Sequence, residues 1–244
     1  VEFWEKNIAA LAQEHRVFAV DIVGFGRTDK PDGFYSSEQM AYMAEFILDF
    51  MTAMDVTTAS LVGNSMGGGV SIKVAAHSPR RVERLVLVDS AGLGKRISSV
   101  LRFMTVPFLG EVLSRPGRQS AARMMKMVSH DWSRAGDDFI DRSAAINRMP
   151  GNQRSLLSVL RDEIDMFGMK DDALADFSSC LDSIDAPILV IWGRQDRILP
   201  VADAESAVGK MVDGRLHIID QAGHSPQIDR PDEFNATVLD FLRD

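Results

Sequence analysis

The chain has 244 residues, 45% of them hydrophobic, and a net charge of -8, enough for one α/β core with room for an insertion. Its acidity argues against nucleic acid as a partner, no apolar run approaches the ~18 residues a membrane helix needs, and the opening is not a signal peptide. The lone Cys180 excludes an internal disulfide and has no histidine at metal-ligand spacing, so the expectation is a cytoplasmic protein with no metal and no cofactor.

From the start, Phe3 to Glu14 places Trp4, Ile8 and Leu11 at helical spacing, and Val17 to Val20 reads as a strand ending at Asp21. Val23-Gly24-Phe25-Gly26-Arg27-Thr28 lacks the third glycine and acidic ribose partner of a dinucleotide site, so it reads as a tight loop. Ser36 or Ser37 opens a helix that carries Met40, Met43, Ala44, Ile47, Phe50 and Met51 on one face. A strand over Ser60 to Val62 runs into Gly63-Asn64-Ser65-Met66-Gly67, and small residues from Val70 to Ala76 continue as a helix. Leu85 to Val88 is the next strand.

Gly94 to Phe177 then has helical periodicity, prolines at Pro107 and Pro116, and no strand-like run. It holds seven of the thirteen methionines, a residue that fills irregular apolar space. Strands over Ile188 to Trp192 and Leu216 to Ile219 follow, with helices starting near Val201 and Pro231. This alternation predicts a mostly parallel open sheet with helices on both faces. Residues 1–93 and 178–244 form the expected core, and 94–177 an expected helical lid. From Leu93 to Glu163 there are twelve Lys and Arg against seven Asp and Glu, a net of +5, which leaves -13 for the rest. Most of these cations suit a solvated helix face, but a basic lid also favours an anionic small molecule.

Strand, G-x-S-x-G and helix in succession are a nucleophile elbow, in which a sharp turn lifts the serine hydroxyl out of the sheet. Ser65 is therefore the candidate nucleophile. The chain order of such sites is Ser, then an acid, then His. Asp196, in the loop after Ile188 to Trp192, is the candidate acid, and His224, in the loop after Leu216 to Ile219, is the candidate base. Asp89, at the end of the strand Leu85 to Val88, is the alternative acid, because that strand end also points toward the site. Of the other histidines, His15 and His77 fall near helix ends, His217 alternates with apolar strand neighbours, and His130 lies in a polar helical stretch that could line a pocket.

Ser65 within Gly-Asn-Ser-Met-Gly-Gly, Asp196 within Trp-Gly-Arg-Gln-Asp-Arg, and His224 after Gly223 resemble the α/β-hydrolase superfamily along essentially the whole chain. Within it the chain is similar to the meta-cleavage product hydrolases, which cut a carbon-carbon bond in ring-opened aromatic compounds. That likeness rests on Asn64, Ser90-Ala91-Gly92-Leu93-Gly94, Arg148-Met149-Pro150 and Asp232-Glu233-Phe234-Asn235. The resemblance implies an oxyanion hole using the Met66 N–H, and substrate binding by Asn64, Ser225 and Arg148, the last through its fit to a carboxylate.

Two departures stand out. Ser225-Pro226 follows the histidine where that subgroup usually has a tryptophan, a pattern closer to ester hydrolases. The chain also opens in the helix that normally follows a His-Gly oxyanion loop, so it reads as one missing its beginning. In the family's sheet order, a third strand would lie between Val17 to Val20 and Ser60 to Val62. The function expected is a cofactor-independent serine hydrolase acting on a small carboxylate-bearing or hydrophobic substrate, at a carbon-carbon bond, with a carboxylesterase or a non-catalytic ligand receptor as alternatives. Homo-oligomerisation is left open.

Overall fold

The computed structural model describes residues 1–35, 38–134 and 136–244. Near the start, a 3-10 turn at Glu2–Trp4 and the short helix α1 (Ile8–Leu11) replace the longer helix predicted there. The break falls at Asn7, which is wholly buried and donates through Nδ2 to the Gln227 carbonyl and Asn235 Oδ1. Helix α2 (Gln39–Ala53) buries Met40, Met43, Ala44 and Met51, four residues of the predicted face. Its predicted cap, Ser36 or Ser37, lies outside the described residues. β1 (Ala59–Asn64) leads into α3 (Met66–His77), and β2 (Val82–Val88) follows.

The long segment after β2 contains α4 (Ser99–Met104), α5 (Leu109–Leu113), α6 (Arg118–Val128), α7 (Gly136–Asn147) and α8 (Asn152–Glu163). It also holds a two-residue hairpin that periodicity did not reveal, β3 (Ile164–Asp165) against β4 (Gly168–Met169). A strand of two residues is too short to show alternation. Helix α9 (Asp171–Asp182) runs unbroken across the expected boundary at 177, because Phe177 is buried beneath α3 with its ring beside Gly69 and Gly92. β5 (Ile188–Gly193), α10 (Val201–Val208), β6 (Gly214–Ile219), α11 (Pro226–Asp229) and α12 (Pro231–Arg243) complete the chain.

Among the described residues the main sheet has the order β1-β2-β5-β6, all pairs parallel. Successive strand residues feed opposite faces. Leu85, Leu87, Val190 and Trp192 pack with α3, α9 and α10, while Val86, Val88, Leu189 and Ile191 pack with Leu11 and with Phe234, Val238 and Phe241 of α12. Burial on both faces is why these strands read as continuous apolar runs. The strand predicted over Val17 to Val20 is not part of the sheet. Those residues make no ladder, and the sheet ends at β1. A strand requires a hydrogen-bonded neighbour, and apolar composition alone does not supply one. Phe18 is held by side-chain packing instead, edge-on to Phe50 of α2.

Candidate active site

Every parallel strand points its C-terminal end at one edge of the sheet, and Asn64, Ser65, Asp196 and His224 lie in or beside the loops there. Ser65 sits between β1 and α3 at φ 54° and ψ -119°, a conformation unfavourable for an L residue. Hydrogen bonds hold it there: its N–H donates to Val88 O at 2.9 Å, and its carbonyl accepts the Gly68 and Ala91 N–H groups at 3.0 Å each. Gly63 is required for closeness, since a Cβ there would lie 2.3 Å from Gly67 O. Gly67, the motif's second glycine, has open space where its Cβ would be, so close packing does not explain it. Met66 is the first residue of α3, and among the described residues its N–H meets no backbone acceptor.

Asp196 and His224 come together with Nδ1 and Oδ2 2.8 Å apart, both side chains almost wholly excluded from solvent. Asp196 Oδ1 accepts the N–H groups of Ile198 and Leu199 at 2.7 and 3.2 Å, which fixes the carboxylate from behind. The two loops are laced to each other by Gln195 N to Ala222 O and Ala222 N to Gln195 Oε1. They pass so closely that a Cβ on Gly193 would be 1.9 Å from Gly223 O.

Asn64 joins these loops to the elbow. Its Nδ2 donates to Val88 O at 3.1 Å and to His224 O at 3.0 Å, so this side chain ties the backbone of the histidine loop to the elbow. Among the described residues no hydrogen bond links Ser65 Oγ to His224. Ser225 is wholly buried, and its hydroxyl has no partner among the described residues. Arg148 follows α7 with an exposed side chain, and among the described residues it makes no ion pair and no hydrogen bond to Asp196 or His224. His130 engages through its backbone N–H, and His217 Nε2 faces Glu233 Oε1 at 3.2 Å.

Two further residues belong to the site. Asp229, buried, accepts the Gly223 N–H at 2.8 Å from the histidine loop, the His130 N–H at 2.8 Å and the Ser129 hydroxyl from the end of α6. It pins the segment after α6 to the loop that carries His224. Nothing in its spacing, five residues past the histidine, distinguished it from a surface aspartate. Asp89, weighed as the alternative acid, is also wholly buried, and one acceptor atom each of Asp89, Asp196 and His224 fall within 4.8 Å of one another. Among the described residues no other His, Cys, Asp or Glu cluster has metal-like spacing, and here the imidazole Nδ1 is already engaged by Asp196.

A serine on a strained strand-to-helix turn, tied through Asn64 to a loop whose histidine meets a buried carboxylate, places the molecule among the hydrolases built on an open parallel sheet. A family model described as the alpha/beta hydrolase fold matches residues 1–231, and the chain belongs to that family. It is 30% identical over 232 residues to the 2-hydroxy-6-oxo-6-phenylhexa-2,4-dienoate hydrolase of Comamonas testosteroni, a match covering 94% of this chain and 77% of that one. With the 2-hydroxymuconate semialdehyde hydrolase of Pseudomonas sp. strain CF600 it shares 29% identity over 240 residues, 98% of this chain and 80% of the other. The solved meta-cleavage product hydrolase of Pseudomonas fluorescens IP01 superposes with a TM-score of 0.82 at 26% identity, covering 98% of this chain and 84% of that one.

Proposed function

We propose that this protein is a cofactor-independent serine hydrolase that cleaves the carbon-carbon bond beside a ketone in ring-opened aromatic dienoates. The observation that carries the mechanism is the 2.8 Å contact of His224 Nδ1 with Asp196, on a loop that Asn64 ties to the Ser65 elbow. With Nδ1–H donated to Asp196, Nε2 is left as the basic nitrogen. It takes the Ser65 proton as Oγ attacks the carbonyl carbon, and the imidazolium is stabilised by the carboxylate. Negative charge gathering on the carbonyl oxygen meets the Met66 N–H at the start of α3.

His224 then returns its proton to the leaving group, and water repeats the sequence to free Ser65. A carbon leaving group requires an electron sink, which the conjugated dienoates in the relatives' names contain. The substrate reading thus rests on likeness to those relatives. The segment 94–177 serves as the lid, with Arg148 as its partner for an acidic substrate. The proposed compartment is the cytoplasm, and among the described residues no helix is long and apolar enough to cross a membrane.

Ser225-Pro226 favours a second reading, a carboxylesterase, which would use the same residues. Turnover of a chromogenic dienoate, compared with p-nitrophenyl esters, separates the two. Cleavage of the dienoate with slower ester hydrolysis is the expected result. Ester turnover alone would replace the proposal with the second reading, and turnover of neither, with Ser65 unlabelled by a fluorophosphonate, would make the fold a ligand receptor.

A further inference from the structure

The mechanism uses one carboxylate, yet two are buried beside His224. Asp89 follows β2 with φ 41°, an unfavourable backbone angle that its N–H contact with Ile191 O at 2.9 Å helps to hold. Its side chain is completely enclosed. Oδ1 accepts the Gly193 N–H at 3.0 Å, whereas Oδ2 is buried with no N–H or O–H donor reaching it among the described residues.

As a carboxylate, Asp89 would hold an unsolvated, unpaired anionic oxygen beside a second negative charge, the combination that burial penalises most. As a carboxylic acid, the same oxygen becomes a donor, and an Asp196 carboxylate oxygen lies within 4.8 Å of an Asp89 oxygen to receive it. The proton belongs on Asp89 rather than Asp196 by a count of donors. Asp196 already receives two backbone N–H groups and faces the imidazole, all of which favour its charged form, while Asp89 receives one.

We propose that Asp89 is a neutral carboxylic acid in the folded enzyme and that its Oδ2–H donates to the Asp196 carboxylate, making it a positioning residue for the acid that orients His224. The groups around it support this assignment. Burial, then the charge of Asp196, with a further contribution from Asp229, drives the Asp89 carboxyl well above the usual range against the opposing Gly193 N–H. Its donated hydrogen bond holds Asp196 in the rotamer that meets Nδ1 and spreads the carboxylate charge that faces the imidazole. The inference rests on the hydrolase reading for its consequence in catalysis, but not for the protonation state.

Asp89→Asn supplies an amide N–H where the acid supplied its O–H, and Asp89→Leu supplies none. Two measurements on the full chain decide the matter. In infrared difference spectra at pH 7, wild type minus Asp89→Asn should show a protonated carboxyl C=O band. In pH profiles of kcat/KM, Asp89→Leu should lose at least about tenfold and move its acid limb to higher pH, because an unshared Asp196 charge makes the imidazole more basic. Asp89→Asn should recover to within about threefold with its acid limb unmoved.

A limb that falls by about a unit in Asp89→Asn would mean that Asp89 was charged, and one that rises by about a unit that the proton sat on Asp196. Either result overturns the proposal, as does the absence of the carboxyl band. If no variant and no wild-type sample turns over any substrate, the hydrolase reading fails, and the infrared arm alone still decides the state of Asp89.

Discussion

A serine hydroxyl is a weak nucleophile, so what matters at Ser65 is the company its backbone angles force it to keep. Ser65→Ala should lower kcat by at least ~10³-fold, leaving only residual rate from binding and the oxyanion donor, and fluorophosphonate labelling should disappear with it. Unchanged turnover would end the serine mechanism. Asp196→Asn replaces the acceptor that fixes the imidazole tautomer, so a loss on the order of 10⁴-fold is expected. A mild Asp196→Asn beside an inactive Asp89→Asn would transfer the role of acid to Asp89. Arg148 tests the substrate's charge: with a charge-assisted pair worth ~1.5 to 3 kcal/mol, Arg148→Gln should weaken an anionic substrate roughly 10- to 100-fold and spare neutral esters. Equal losses on both would assign Arg148 to the structure of the helical segment itself, in keeping with its exposed place after α7.

At the scale of elements, Asp229 is where α6 and the histidine loop depend on each other. Removing its carboxylate in Asp229→Ala strands the Gly223 and His130 N–H groups in a buried place, at ~1 to 3 kcal/mol for each donor. A fall in Tm of roughly 4 to 24 °C should follow for a chain of this size, with faster amide exchange at Gly223 and His130 as its local signature. Protected amides at both positions would show that the clamp lies elsewhere. Elements whose formation depends on their own pattern were legible in the sequence: α2 from its apolar spacing, β2 and β5 from their unbroken apolar runs, the elbow from its turn chemistry. What was not legible depends on a neighbour. Val17 to Val20 has strand composition but no ladder, α1 is cut short where Asn7 must reach Gln227 and Asn235, and the β3–β4 hairpin is too brief to have a period. The pairing of His224 with Asp196 followed from chain order, whereas the burial of Asp89 and the three donors on Asp229 arise only when separate loops meet.

For the whole molecule, burial at the end of α8 gives one carboxyl a contribution to stability that runs with pH in an unusual direction. Glu163 ends α8 where the helical segment returns to the core, and it is half-buried. Burial, then the neighbouring charge of Asp162, raises its carboxyl to about 7, against the pull of Lys73 and Lys170. Its folded value therefore lies above an unfolded one of about 4.3. With the acid form favoured in the folded state, the contribution of Glu163 is fully present below pH ~4, declines as pH rises, and is lost once pH passes about 7. A carboxylate in an ordinary stabilising ion pair has the opposite trend. Glu163→Gln keeps the shape and removes the titration, so the Tm of the variant should gain on wild type between pH 4.5 and 7.5 and hold a constant advantage above about pH 8. Melting both proteins across that range by circular dichroism measures the difference directly, and the carboxylates common to both cancel. A gap that is flat with pH would mean that Glu163 keeps its charge when folded, with Lys73 and Lys170 outweighing its burial, and the turn from α8 into β3 would then be held by that charge.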